Sequence, residues 1–373
     1  MEKKIIVAGH LCVDITPVFP EGKTRSIGEL LTPGKLLQMK PATVHTGGVV
    51  ANTGLALKKM GADVRLIGKL GEDAFGHMVR NMLKAHGADG DVLADPQDST
   101  SYTIALAPPG IDRIFLHNPG ANDSFCADDV PEEALESAAL LHFGYPPIMK
   151  RFYENGSAEL LKLIRRAHGC GAMVSLDMTA VDEDSEAGKA DWEQILKDVL
   201  PQVEFFVPSV EELCFMLDRP RYEEWTRRAA GGDVTEILKL EDIRPLAERT
   251  MALGARVLLL KCGVPGMYYR TAPAEQMEGY REAGLDLDAW SGKEGFMGSY
   301  IPDRVRSGTG AGDTSIAAFL LSMLRGYPLE QCVRLAAAEG ASCVEEFDAL
   351  SGVRTLEELE EKIASGWKQR ELS

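Results

Sequence analysis

The strongest constraint in this chain is a set of short, almost uninterrupted apolar runs: KIIVAG (4–9), LLHFG (140–144), MVSLDM (173–178), FFVPS (205–209) and RVLLLKCG (256–263). A strand with one wet face alternates apolar and polar residues, whereas a run without that alternation is buried on both faces, as in a parallel sheet. ADVRLIGKLG (62–71) adds a further strand, and helical periodicity at 49–60, 73–86, 157–168, 191–199, 242–253, 312–325, 329–346 and 355–365 separates or follows the strands. This alternation predicts an α/β chain, with helices covering both faces of a mainly parallel sheet. Ligands of such sheets gather beyond the carboxyl ends of the strands.

Two stretches break the rhythm. The segments at about 15–46 and 98–119 carry weak alternation, Pro, Gly and Thr in the first and β-type runs in the second. Together they predict a small sheet projecting as a lid. Polar insertions at about 219–240 and 273–300 read as surface excursions from a single domain spanning 1–373, with no repeat or linker dividing it.

Charge and cysteine usage narrow the function classes. With 57 acidic against 40 basic residues the net charge is −17, so the long-range field repels nucleic acid and anionic membranes, although a local basic patch can still bind a small anion. Seven cysteines are scattered without any CxxC pair, which predicts reduced thiols in a cytoplasmic protein and no zinc site. The first residues, MEKKIIVAGHLCVD, do not read as a signal peptide. No apolar run approaches the roughly 20 residues of a membrane span.

The chemistry concentrates in SGTGAGD, residues 307–313. Its glycines let backbone N–H groups approach an anion. Ile316, Phe319, Leu320, Met323 and Leu324 recur at helical spacing just beyond, so the loop opens a helix, where free N–H groups and the dipole favour phosphate. Asp313 falls in the first turn, suited to accept a proton from a hydroxyl. On its own, GAGD reads equally as a glycine turn with a capping aspartate. Neither a Walker A loop nor GxGxxG is present.

Motifs elsewhere decide between these readings. VAGHLCVD ends in Asp14; TGGVVANTGLALKKMG, IGKLGEDAFG and PGAN follow; VPSVEEL, LKCGVPG and SGTGAGD close the series. In this order and spacing, over about 340 residues, the chain resembles the ribokinase-like (PfkB) carbohydrate kinase family. The resemblance implies a three-layer α/β/α domain with a projecting β lid, ATP and Mg²⁺ as cofactors, and a homodimer formed through the lid. It implies that Asp14, Asn52 and Asn122 lie at the sugar, with Gly47 and Gly48 flexing with the lid. Glu212 would organise magnesium, through water. Gly263 and Gly266 would turn beneath the nucleotide, with Ser209, Lys261 and Gly308 beside it. Gly310, Ala311 and Gly312 would form the anion hole, and Asp313 would be the base.

Each residue also has a plainer reading. Asp14 follows a strand and suits a turn cap, Asn52 suits a helix start, Glu212 suits a solvated helix face, and Lys261 suits a strand-end lysine snorkelling to water. The pattern also departs from the family. Ser307 replaces an aspartate that helps hold a monovalent cation, which puts K⁺ activation in doubt. Ser209 replaces the asparagine of Asn-x-x-Glu; Ala337 and Asp348 replace a frequent asparagine and glycine, leaving ATP against GTP open.

Three functions fit. The first is an ATP-dependent sugar kinase. The second is a nucleoside kinase, for which Tyr102, Phe115 and Phe125 could wall a base. The third is a sugar or nucleotide sensor without turnover. A phosphosugar acceptor would call for a basic lid cluster, and Arg25, Lys35, Lys40 and Arg113 are the candidates.

Overall fold

The computed structural model describes residues 4–20, 27–109 and 114–370. Fourteen strands are formed among these residues: β1 Lys4–Gly9, β2 Cys12–Val18, β3 Lys40–Gly47, β4 Val64–Ile67, β5 Lys69–Gly71, β6 Leu93–Asp95, β7 Tyr102–Leu106, β8 Ile114–Asn118, β9 Ala138–Gly144, β10 Met173–Leu176, β11 Phe205–Phe206, β12 Val257–Lys261, β13 Gly266–Thr271 and β14 Glu294–Gly298. Eight build the main sheet, in the order β14-β13-β12-β11-β10-β9-β1-β4. From β4 to β12 every pairing is parallel. β13 and β14 then add antiparallel to the edge.

The apolar runs are explained by two separate cores, one on each face. Ile5, Val7, Leu140, Phe205, Val257 and Leu259 point into one. Their neighbours Ile6, Ala8, Leu141, Phe206, Leu258 and Leu260 point into the other. Side chains alternate across a strand, so a strand covered on both faces must be apolar at every position. Each fully buried Leu, Ile or Phe adds about 1.5–3 kcal/mol.

A second sheet of four strands, β3-β2-β7-β8, forms the lid. It is less covered: β2 and β7 are mostly half-buried, and Phe115 and Leu116 on β8 are 56% and 50% exposed. Arg25 and Arg113, two of the four basic lid candidates, lie outside the described residues.

The polar insertions are less detached than their composition suggests. The helix Arg219–Ala229 buries Trp225, and the second stretch buries Trp290 and contributes β14 to the main sheet. Val234 and Leu238 are buried with Trp225 in the first stretch, and Met277, Tyr280, Leu285 and Leu287 with Trp290 in the second, anchors that average polarity conceals. No helix among the described residues is long and apolar enough to cross a membrane.

Candidate active site

The parallel strands end along one edge of the sheet, and their last residues supply the polar groups. Gly144 closes β9 and leads to Tyr145, Asp177 follows β10, Ser209 follows β11 by a short link, and Lys261 closes β12. Ser209 also bridges to Lys261 across the parallel edge.

Against this edge sits the start of the helix Ala311–Leu324. Gly310 caps it with φ 76, and a Cβ there would collide with Ala349, so both the conformation and the space demand glycine. The first-turn N–H groups of Ala311, Gly312 and Asp313 have no acceptor within the helix, and Ala311 makes only a long 3.4 Å contact to the Gly308 carbonyl. Those donors and the helix dipole make an anion cradle. Lys261 lies beside it: a Cβ on Gly312 would stand 3.3 Å from Lys261 Cδ. Gly308 itself is exposed in the preceding turn.

Asp313 is 8% exposed and held from three sides. Asn52 Nδ2 donates to Oδ2 at 2.9 Å; the Tyr145 phenol donates to Oδ1; Thr53 Oγ1 reaches Oδ1 at 3.4 Å and the main-chain carbonyl at 3.3 Å. Asn52 and Thr53 come from the helix Val49–Lys59, which Gly48 caps with φ 85 and a close approach to the His10 carbonyl. Burial first, then the Asp313 and Asp177 carboxylates, push the Tyr145 phenol well above its ordinary value, so it stays protonated as a donor.

Behind the cradle, Lys261 Nζ binds both oxygens of the fully buried Asp177, at 2.7 and 2.8 Å. Burial alone lowers an ammonium, but Asp177 and Glu212 outweigh it and hold Lys261 above its ordinary value. Lys261 is therefore an ion-paired group and not a strand-end lysine reaching for water. Glu212 is half-buried in a reciprocal cap: Ser209 N donates to its Oε2 at 2.7 Å, and its own N–H donates to Ser209 Oγ at 3.2 Å. Ser209 in place of asparagine thus still caps this helix. Gly263 (φ 61) backs onto Thr235, and Gly266 (φ 137) onto the Met297 backbone, making the tight turn after β12.

On the lid side, strand register aligns His45, Asp14, Thr103 and His117 in one row across all four strands. A Cβ on Gly47 would strike the Asp14 carboxylate. Burial raises Asp14, while hydrogen bonds from Cys12 and Thr103 pull it back down and the Asp313 charge raises it further. The Cys12 thiol donates to Asp14 Oδ1 at 3.3 Å.

Two sequence-derived assignments gain a different emphasis. Asn122 is fully buried, receives the Leu11 N–H at 3.1 Å and donates to the Leu11 and Pro119 carbonyls, so its amide is consumed as a strut between segments. Asn52 spends a donor on Asp313 and has only its remaining amide groups for a ligand. Sequence reading passed over Tyr145, Asp177, Thr53 and Thr103. The usable signal for the first two was position alone, immediately after an apolar parallel run.

Among the described residues no three His, Cys, Asp or Glu side chains converge into a direct metal cage. Asp177, Glu212 and Asp313 nevertheless act together on Lys261, so negative charge gathers beside the anion cradle. That donor set suits Mg²⁺, which keeps several waters and takes few protein carboxylates alongside substrate phosphates.

The family model described as pfkB family carbohydrate kinase matches residues 5–356. An uncharacterised sugar kinase of Archaeoglobus fulgidus is 23% identical over 302 residues, 80% of this chain and 98% of that protein. The ribokinase of Arabidopsis thaliana, solved with ribose and ATP, superposes with a TM-score of 0.68 at 19% identity, covering 97% of this chain and 98% of the other. A candidate ribokinase II from E. coli, in complex with ATP and Mg²⁺, gives 0.68 at 18% identity over 97% and 99%.

Proposed function

The chain belongs to the pfkB family of carbohydrate kinases, and from that premise we propose that it transfers the γ-phosphoryl group of ATP to a hydroxyl of an unphosphorylated sugar, with Asp313 as the base. One observation carries this reading: a buried carboxylate, fixed by three donors, opens the same helix whose first N–H groups form the anion cradle.

Phosphoryl transfer asks mainly for positioning and charge stabilisation. Asp313 takes the proton of the acceptor hydroxyl as its oxygen bonds to the γ-phosphorus and the bond to the β–γ bridging oxygen of ATP breaks. Gly310, Ala311 and Gly312 stabilise the transferring oxygens through N–H groups. Lys261, adjacent to Gly312, adds positive charge at the nucleotide phosphates, and the turn at Gly263 and Gly266 supports the nucleotide. Mg²⁺, when bound, would neutralise phosphate charge, and Glu212, half-buried beside Lys261, is the carboxylate that would face its water shell. With Ser307 lacking a carboxylate, no role is assigned to a monovalent cation.

The acceptor side supports an uncharged polyol. Asp14 and Thr103 offer hydrogen-bonding groups, and burial, with His117 second, holds the His10 imidazole well below its ordinary value and therefore neutral. Lys35 and Lys40 are exposed. A nucleoside is less well served, because Phe125 is fully buried against Phe152 and Tyr102 is turned edge-on to Phe75. Exposed Phe115 and Leu116 support a homodimer through the lid. The seven cysteines are free thiols, as a reducing cytoplasm requires.

The test is ADP release with Mg-ATP across ketoses, aldoses, sugar acids, phosphosugars and nucleosides, run beside Asp313→Asn. Turnover on one unphosphorylated sugar, lost in the variant, supports the proposal. Binding of sugar and nucleotide without turnover by the native protein would replace it with a sensor.

A further inference from the structure

The carboxylate of Asp313 has about four lone-pair sites, two on each oxygen. The Tyr145 phenol and Thr53 hydroxyl address Oδ1, and Asn52 Nδ2 addresses Oδ2. One site on Oδ2 is left for an acceptor hydroxyl. Rotation of the carboxylate about its Cβ–Cγ bond would swing that site out of line with the hydroxyl, so the donors on Oδ1 fix the plane in which the carboxylate faces the substrate.

Of those donors the phenol is much the closer, since Thr53 stands at 3.4 Å and divides its proton with the Asp313 main-chain carbonyl. Tyr145 is also rigidly placed. It follows β9 directly, precedes Pro146 and Pro147, and its ring lies 6.0 Å from that of His10. A rigid two-torsion side chain positions its hydroxyl at little entropic cost. Its protonated state, already derived from burial and the neighbouring carboxylates, makes it a permanent donor.

We propose that Tyr145 is a positioning residue for phosphoryl transfer: its phenol holds the plane of the Asp313 carboxylate through Oδ1 and thereby aims the other oxygen at the acceptor hydroxyl. This rests on the reading of Asp313 as the base. In the step itself, the acceptor O–H proton passes to Oδ2 while the phenol keeps its own proton, so Tyr145 is unchanged at the end of the cycle. Without it, the carboxylate plane tilts about Cβ–Cγ and the hydroxyl meets a misaligned base. Misplacement of a reacting group on this scale costs about 10²-fold in rate.

The decisive comparison is Tyr145→Phe, alone and combined with Asp313→Asn, on the acceptor that the native protein phosphorylates. Tyr145→Phe keeps the ring and is expected to lower kcat about 10- to 100-fold, with KM for ATP nearly unchanged. In the Asp313→Asn background the same change should have no further effect on kcat, because its route of action is gone. Undiminished kcat in Tyr145→Phe, or a multiplied loss in the double variant, overturns the proposal while leaving the kinase reading intact. If the native protein turns over no acceptor, the kinase reading fails separately. Crystal structures of the native and Tyr145→Phe proteins then decide the locking: a carboxylate plane that tilts in the variant supports it, and one that keeps its native plane refutes it.

Discussion

The floor of the cleft and its lid solve different problems with different materials. In the helix Ala311–Leu324, every residue from Asp313 onward is buried, and the charges beside it are paired: Asp313 with three donors, Asp177 with Lys261. The lid has four half-covered strands, with two large apolar side chains open to solvent on its outer strand. Charged groups in a dry, packed setting cannot reorganise cheaply, which suits them to stabilising a transition state. A sheet with few buried contacts opens at low cost, which suits it to admitting and enclosing a substrate. Changes in the floor should therefore appear in kcat and stability, and changes in the lid in acceptor affinity.

The largest effect should come from Asp313→Asn. Removing a general base costs about 10²–10⁴-fold in kcat. The amide also presents a donor where Asn52, Thr53 and Tyr145 already donate, so a lowered melting temperature should accompany the loss. Lys261→Met tests the floor next. It strands the fully buried Asp177, and breaking a buried pair costs about 3–5 kcal/mol, read in chemical denaturation. A change below 1 kcal/mol would contradict it and mean that Asp177, which burial raises to about 7, takes up a proton in place of the lost ammonium.

Acidification tests the burial of the sheet. Burial, aided by Lys261, pulls the His142 imidazole down to about 3, and its Nδ1 faces Ser175 Oγ at 3.0 Å. The unfolded chain binds that proton near pH 6.5 and the folded one near 3. The stability it contributes is therefore complete above pH 6.5 and declines as pH falls towards 3, by about 1.4 kcal/mol per unit. His142→Asn should remove about 2 kcal/mol of the difference between pH 7 and pH 5; an unchanged slope would contradict it. The smallest effect should be Asp14→Asn, which leaves the floor untouched. We expect KM for the acceptor to rise about tenfold, the scale of one hydrogen bond to a charged group, with KM for ATP and stability held. A loss confined to kcat would move Asp14 from the lid to the chemistry.

Much of this was legible in the sequence, for reasons of period and steric demand. Apolar runs such as RVLLLKCG announced a sheet buried on both faces, and Ile6 beside Val7 could be read as belonging to opposite cores. Gly310 announced a helix start that only glycine could make. β13 and β14 were harder, because a polar segment followed GMYY and the strand inside it is partly exposed. Asn122 could be found but not understood: its place in PGAN says nothing of the Leu11 backbone it braces, 111 residues away.

By itself the sequence determined the layer architecture and the glycine loop that opens a helix with Asp313 in its first turn, because these depend on residues adjacent in the chain. The tertiary structure alone decided what surrounds that carboxylate. Asn52 lies 261 residues from Asp313 and Tyr145 lies 168 away. Only the packing of the helix Val49–Lys59 and the end of β9 against the start of the helix Ala311–Leu324 brings them together, and a hydrogen bond is fixed by distance in space, on which spacing along the chain is silent.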